Sequence, residues 1–183
     1  MLFEIAVNAI SDGYYREAVM SFAASMERYF EFAIRVIASA TVPLTAIDNA
    51  WNIVSQQSER QLGAYVFVYA LEYKEHPVIL SNKMTEIRNN VAHKGSIPER
   101  GEVIAFGNAV YEIIQKGVQQ LRAIKQREVD GVLSEHVAKI AEKMGTQYPR
   151  AFVVTPTAIN VIENISSGYK PFAEHLRERG IQV

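Results

Sequence analysis

From Tyr15 onward apolar residues return at every third or fourth position: Tyr15, Val19, Phe22, Met26, Tyr29, Ala33 and Val36. That spacing lays them along one stripe of a helix about 25 residues long, leaving the charged residues on its other faces. Glu31 and Arg35, four apart on the polar flank, add a modest helix-supporting pair. A short apolar opening and a break at Asp12-Gly13 precede this helix. Thr41-Val42-Pro43 ends it, because the proline ring pushes Val42 out of helical geometry.

A second helical stretch is predicted from about Thr45 to Lys74, with Ile47, Trp51, Val54, Leu62, Val66 and Tyr69 as its apolar positions. Its middle, Ser55 to Ser58, is polar and marks a candidate break; His76-Pro77 punctuates its end. The next helix starts near Ser81-Asn82, with Ser81 suited to cap the first free N–H groups. After Gly95-Ser96-Ile97-Pro98 comes a long helix from about Glu99, its inner face marked by Val103, Phe106, Val110, Ile113, Leu121 and Ile124. Gly107 and Gly117 lie inside it, each costing up to about 1 kcal/mol relative to alanine. Close approach of another helix and incidental tolerance explain them equally well at this level.

Up to about Gln126 the pattern predicts a bundle of antiparallel helices joined by short loops. Beyond it the signal weakens. Glu128 to Met144 reads as helix with a candidate kink at Asp130-Gly131. Ala151-Phe152-Val153-Val154-Thr155 has strand-like composition, and Pro171 to Arg179 reads as a last amphipathic piece. The expected organisation is therefore an all-α chain: a helical domain over residues 1–126 and a mostly helical C-terminal extension over 127–183, whose role the residues do not indicate.

Composition narrows the chemistry. With 183 residues, the chain is long enough for one domain with a sizeable core. It has no cysteine, which removes disulfides, thiolate zinc sites and cysteine nucleophiles and fits a reducing cytoplasm. No apolar run approaches the roughly 20 residues that cross a bilayer, and Met1-Leu2-Phe3-Glu4 lacks the basic region of a secretory signal. A cytoplasmic protein without membrane partners is expected. The net charge of −1 gives no broad attraction for nucleic acid, so any such contact needs a local cluster.

One candidate cluster stands out. Arg88-Asn89-Asn90-Val91-Ala92-His93, followed by Lys94 and Gly95, ends an amphipathic pattern in which Met84, Ile87 and Val91 form the buried edge. Arg88 is a permanent cation with a planar fork of donors, and His93 carries an imidazole able to accept and return a proton. On an unbroken helix, five residues turn His93 roughly 140° away from Arg88. Two arrangements still bring them to one phosphate. Either the helix ends near Ala92 with Gly95 in the left-handed position, or Arg88 of one subunit works with His93 of another across a two-fold axis. A plainer reading is also open, in which Arg88 pairs with an acid such as Glu27 or Glu86 and His93 simply ends a helix.

These residues resemble the signature of the HEPN family of all-helical RNA-cleaving domains. Asp12-Gly13-Tyr14-Tyr15-Arg16-Glu17-Ala18 and the long helix carrying Glu27 are similar to that family's first long helix. The order of motif helix, short loop and long helix agrees as well, so the likeness covers about residues 1–126. It implies an antiparallel bundle of HEPN type and a homodimer whose two motifs line one cleft. The implied activity is a metal-independent, cofactor-free endoribonuclease acting on RNA. His93 would transfer the proton, Arg88 would stabilise the transition-state charge, Asn89 would orient the histidine or hold a phosphate oxygen, and Lys94 would contact the substrate backbone. Members of this kind serve as toxins or antiviral defence effectors, with an antitoxin or other regulatory protein as a further implied partner. Others bind RNA, a nucleotide or a protein without cleaving, which is the alternative reading. In one branch a tyrosine shortly after the histidine is modified. Here Lys94-Gly95-Ser96 follow, and no tyrosine comes before Tyr111.

Other constellations compete weakly. Glu75-His76, Glu135-His136 and Glu174-His175 repeat a dipeptide whose two side chains diverge by roughly 100° on a helix, so each reads as solvated surface. There is no HExxH, P-loop or dinucleotide-binding glycine run.

Overall fold

Eight helices account for the regular structure of residues 2–144 and 170–183, the part of the chain that this computed structural model describes, and no strand occurs among those residues. They are α1 (Leu2–Ser11), α2 (Tyr15–Ala38), α3 (Leu44–Val54), α4 (Ser58–Tyr73), α5 (Asn82–Lys94), α6 (Arg100–Ile124), α7 (Gln126–Met144) and α8 (Phe172–Glu178). The all-α expectation holds over them. The strand-like stretch at 151–155 lies outside the described residues.

Local chemistry sets the helix ends where the pattern placed them. The predicted stripe of α2 is buried at Val19, Phe22, Tyr29, Ala33 and Val36. Pro43 caps α3 rather than continuing α2. The polar Ser55–Ser58 stretch is a true break, so the predicted second helix is the pair α3 and α4. Lys74 closes α4 in left-handed backbone (φ 61°). Two details differ from the pattern. The buried positions of α4 are Gln61, Tyr65 and Tyr69, whereas Leu62 and Val66 are only half-buried. At the end of α6, Ile124 is 58% exposed instead of lining the inner face.

The chain falls into two compact units. Of the described residues, the first takes 2–29, 77–118 and 170–183, and the second takes 30–76 and 119–144. The first unit is centred on four rings. Phe3 lies 4.9 Å from Phe22 and 5.6 Å from Phe172, which stacks on Tyr111 at 5.6 Å. Edge-to-face and offset contacts of this kind add about 0.5–1.5 kcal/mol each beyond the area they bury. Residues 170–183 belong to this unit through the burial of Phe172, Leu176 and Ile181. The two interior glycines of α6 are explained here too. A Cβ at Gly107 would come within 2.7 Å of the Phe22 ring, and one at Gly117 within 1.8 Å of the Tyr29 hydroxyl.

The second unit buries Phe30, Ala33, Ile37, Ile47, Trp51, Tyr65, Tyr69, Leu121 and Val129. Phe30 stacks on Tyr65 with ring centroids 4.7 Å apart. Around this core runs a network of charges. Arg35 reaches both Glu31 (3.2 Å) and Asp48, and Asp48 also accepts from Lys139 at 3.1 Å. Lys125, itself buried, pairs with Glu72 at 2.7 Å.

The candidate site on helix α5

α5 begins as its sequence requires. The Ser81 hydroxyl accepts from the Met84 N–H at 3.4 Å, relieving one of the free donors of the first turn. It ends at Gly95, whose backbone is left-handed (φ 69°), and the Gly95 and Ser96 N–H groups both turn back to the Asn90 carbonyl. His93 and Lys94 occupy the last turn, where positive charge meets the negative end of the helix dipole.

The helix does not stop at Ala92; it runs through Lys94. The first of the two arrangements that would join Arg88 to His93 is therefore not the one adopted. Ile87 and Val91 form the buried edge, as the spacing predicted. Arg88 stands about 60° from Val91 and is held against the protein, with 18% of its side chain exposed. His93 stands roughly 160° from Val91 and faces solvent. Within one chain the guanidinium and the imidazole diverge.

Each predicted site residue has a definite environment. The Arg88 Nη1 donates to Asn89 Oδ1 at 2.8 Å, and its Nη2 lies 3.9 Å from the Glu27 carboxylate. So the expected pairing of Arg88 with Glu27 is present, and Glu86 is exposed. Asn89 steers the arginine; its amide oxygen is not directed at the histidine of its own chain. Lys94 is exposed beside His93. All five residues, Glu27 included, belong to the first unit.

Sequence reasoning missed a second polar cluster in that unit. The Tyr111 hydroxyl, on a fully buried ring, donates to the Lys170 carbonyl at 2.6 Å and lies 3.2 Å from His175 Nε2. Because the tyrosine's single proton is committed to the carbonyl, the imidazole Nε2–H is the donor in the second contact. His175 is thus a packed residue, correcting the solvated reading of the Glu174-His175 dipeptide; its ring is 5.6 Å from that of Tyr111. Burial, helped by the Lys170 ammonium, holds its pKa below 6.5, and burial pushes the Tyr111 hydroxyl up to about 12. Only the apolar signature of Phe172 and Leu176 flanking His175 hinted at this.

An open depression of about 440 Å³ also lies in the first unit, lined by Ser11, Gly13, Tyr15, Arg100 and Gln182 among others. Arg100 donates there to the Gln182 carbonyl, and no motif residue borders it. Among the described residues no helix is long and apolar enough to cross a membrane, and no three His, Asp or Glu side chains are grouped to hold a metal ion. No family model, curated protein or solved structure matches this chain.

Proposed function

We propose that the protein is an endoribonuclease of HEPN type whose site is completed by a second copy, with Arg88 and Asn89 from one chain and His93 from the other. The observation carrying this reading is the course of α5. It stays helical through His93, holds Arg88 beside the core and turns His93 outward, where no side-chain partner among the described residues engages it. If two α5 helices cross antiparallel near Asn90, position 88 of one lies opposite position 93 of the other. The same crossing sets Glu86 near Lys94 of the second copy, a favourable charge pairing.

The chemistry then follows from the side chains. Neutral His93 removes the proton of an RNA 2′-hydroxyl, and the oxygen attacks the adjacent phosphorus. The P–O5′ bond breaks, and the imidazolium returns a proton to the departing oxygen. The products are a 2′,3′-cyclic phosphate and a 5′-hydroxyl. Arg88, aimed by Asn89, neutralises charge building on the phosphoryl oxygens. Lys94 contacts the RNA backbone, and the biological role would be that of a toxin or defence effector.

The hold of Glu27 and Asn89 on Arg88 favours a second reading, a non-catalytic module that binds RNA, a nucleotide or a protein. A mixing experiment separates the two. Wild-type protein should cleave single-stranded RNA in EDTA, and Arg88→Ala and His93→Ala should each abolish cleavage. Mixed, the two inactive variants should regain about a quarter of the wild-type rate, since about half the dimers are mixed and each has one intact site. Cleavage that survives in His93→Ala would sink the assignment. Binding without cleavage by the wild type would establish the second reading.

A further inference from the structure

We infer that the open depression beside Ser11 and Tyr15 is a binding site for a small organic phosphate, with Arg100 as its anion-holding group. The inference rests on the first unit alone and does not depend on the ribonuclease reading, since neither Arg88 nor His93 lines the depression.

The depression follows from how α2 and α6 pack. The Phe22 ring lies over Gly107 and the Tyr29 hydroxyl beside Gly117, so the two helices run parallel. Their first residues, Tyr15 and Arg100, therefore come to one end of the unit. α1 stops at Ser11, and Gly13, in left-handed backbone (φ 79°), turns the chain into α2. Residues 180–182 close the remaining side, where the Gln182 carbonyl accepts from Arg100. The space, about 440 Å³, falls within the roughly 300–1,000 Å³ of small-molecule pockets. Its lining combines apolar surface from Ile10 and Ile181 with the hydroxyls of Ser11 and Tyr15, which have no hydrogen-bond partner among the described residues.

Charge identifies the ligand. Among the described residues, every other arginine or lysine that is shielded from solvent faces a carboxylate: Arg35 meets Asp48, Arg88 Glu27, Arg122 Asp130, Lys125 Glu72 and Lys170 Glu178. Half-buried Arg100 has only the neutral Gln182 carbonyl. That contact uses one of five N–H donors and leaves the positive charge uncompensated. Glu102 instead accepts from the Glu99 N–H at 2.9 Å, and Glu4 pairs with Arg179. The exposed Asp12, Glu17 and Glu99 form no ion pair with Arg100, and no lining residue is acidic. A partly desolvated cation without a counter-ion is costly, so this end of the unit suits an anion from outside. Phosphate fits better than carboxylate. The guanidinium fork alone saturates the two oxygens of a carboxylate, whereas a phosphate keeps a further oxygen for the Ser11 and Tyr15 hydroxyls. The space is also larger than a bare phosphate ion, so the phosphate carries an organic body that rests against Ile10 and Ile181.

Titration calorimetry on the full chain tests this with phenyl phosphate, benzoate and phenol, three probes that share a body and differ in the head group. Phenyl phosphate should bind once per chain and about 10-fold more tightly than benzoate, and phenol should not bind. Arg100→Gln should weaken phenyl phosphate about 10-fold or more, and Arg100→Lys should recover part of the loss. Ser11→Ala/Tyr15→Phe should weaken it about 5-fold with the helical circular dichroism intact. Should Arg100→Gln disturb the fold, the Ser11 and Tyr15 variant decides in its place. A wild type that ignores phenyl phosphate at millimolar concentration would overturn the proposal, as would equal binding of benzoate or binding indifferent to these changes. Failure of RNA cleavage would leave it standing, because no RNA enters the measurement.

Discussion

Tyr29 sets its hydroxyl so close to Gly117 that a Cβ there would lie 1.8 Å from the oxygen and 2.4 Å from the ring carbon bearing it. α2 and α6 meet at this point in the first unit, and the absent side chain is what lets the ring in. Gly117→Ala should therefore destabilise the protein by about 2 kcal/mol despite alanine's better helix propensity. Tyr29→Phe should recover part of that loss, since the ring carbon remains too near. Urea denaturation of the single and double variants checks both.

Gly63→Ala should act with the opposite sign. A Cβ at Gly63 meets nothing, so alanine restricts the unfolded chain and raises stability by about 0.5–1 kcal/mol. Urea denaturation of the two forms side by side checks this. A loss of stability there would mean that α4 packs more closely than described.

Arg88→Ala should separate folding from activity. Its contact with Glu27 is long, 3.9 Å, and partly solvated, with 18% and 24% of the two side chains exposed. Removing it should change stability by no more than about 1 kcal/mol. Cleavage should nonetheless fall about 100-fold or more if the guanidinium stabilises the transition state. Parallel unfolding and RNA-cleavage measurements decide whether Arg88 is a stitch or a working group.

His175 should make stability depend on pH. Burial and then Lys170 hold its folded pKa below 6.5, so the unfolded chain binds the proton first as the solution is acidified. The stabilisation from neutral His175 is complete above pH 6.5 and is lost as pH falls through the folded value. His175→Gln should flatten the stability profile just below pH 6.5. An NMR titration placing the His175 transition above 6.5 would contradict the burial argument.

Asp48 should act in a more acidic window. Burial pushes its carboxyl up, but hydrogen bonds from Arg35 and Lys139 outweigh that and leave it below the ordinary 3.8. A depressed carboxyl contributes stability above its unfolded pKa and loses it as pH falls through the folded one. Asp48→Asn should therefore weaken the protein at pH 7 and make no difference once wild-type Asp48 is protonated. Urea midpoints at pH 7 and well below pH 3.8 provide the comparison.

Much of the architecture is legible in the sequence. Ser81, Gly95 and Pro43 set helix ends through local hydrogen bonding and backbone geometry, which depend on near neighbours in the chain. Val19, Phe22 and Val36 announced their burial through spacing. α4 misled because its apolar residues lie on two sides, and periodicity alone does not say which side meets the core. His175 was legible only as one of three similar dipeptides, since its partner Tyr111 stands 64 positions away.

The candidate site divides along the same line. The linear chain by itself determined that Arg88 lies on a helix whose buried edge is Ile87 and Val91, that Gly95 suits its end, and that an unbroken helix would turn His93 away from Arg88, because helical geometry is local and repeats. Only the tertiary structure decided that α5 stays helical through His93, that Glu27 and Asn89 hold the guanidinium, and that Phe67 and Leu71 look outward. Those outcomes depend on which distant surfaces pack together, and packing is settled by shape and desolvation over the whole unit, not by the order of residues in any one segment.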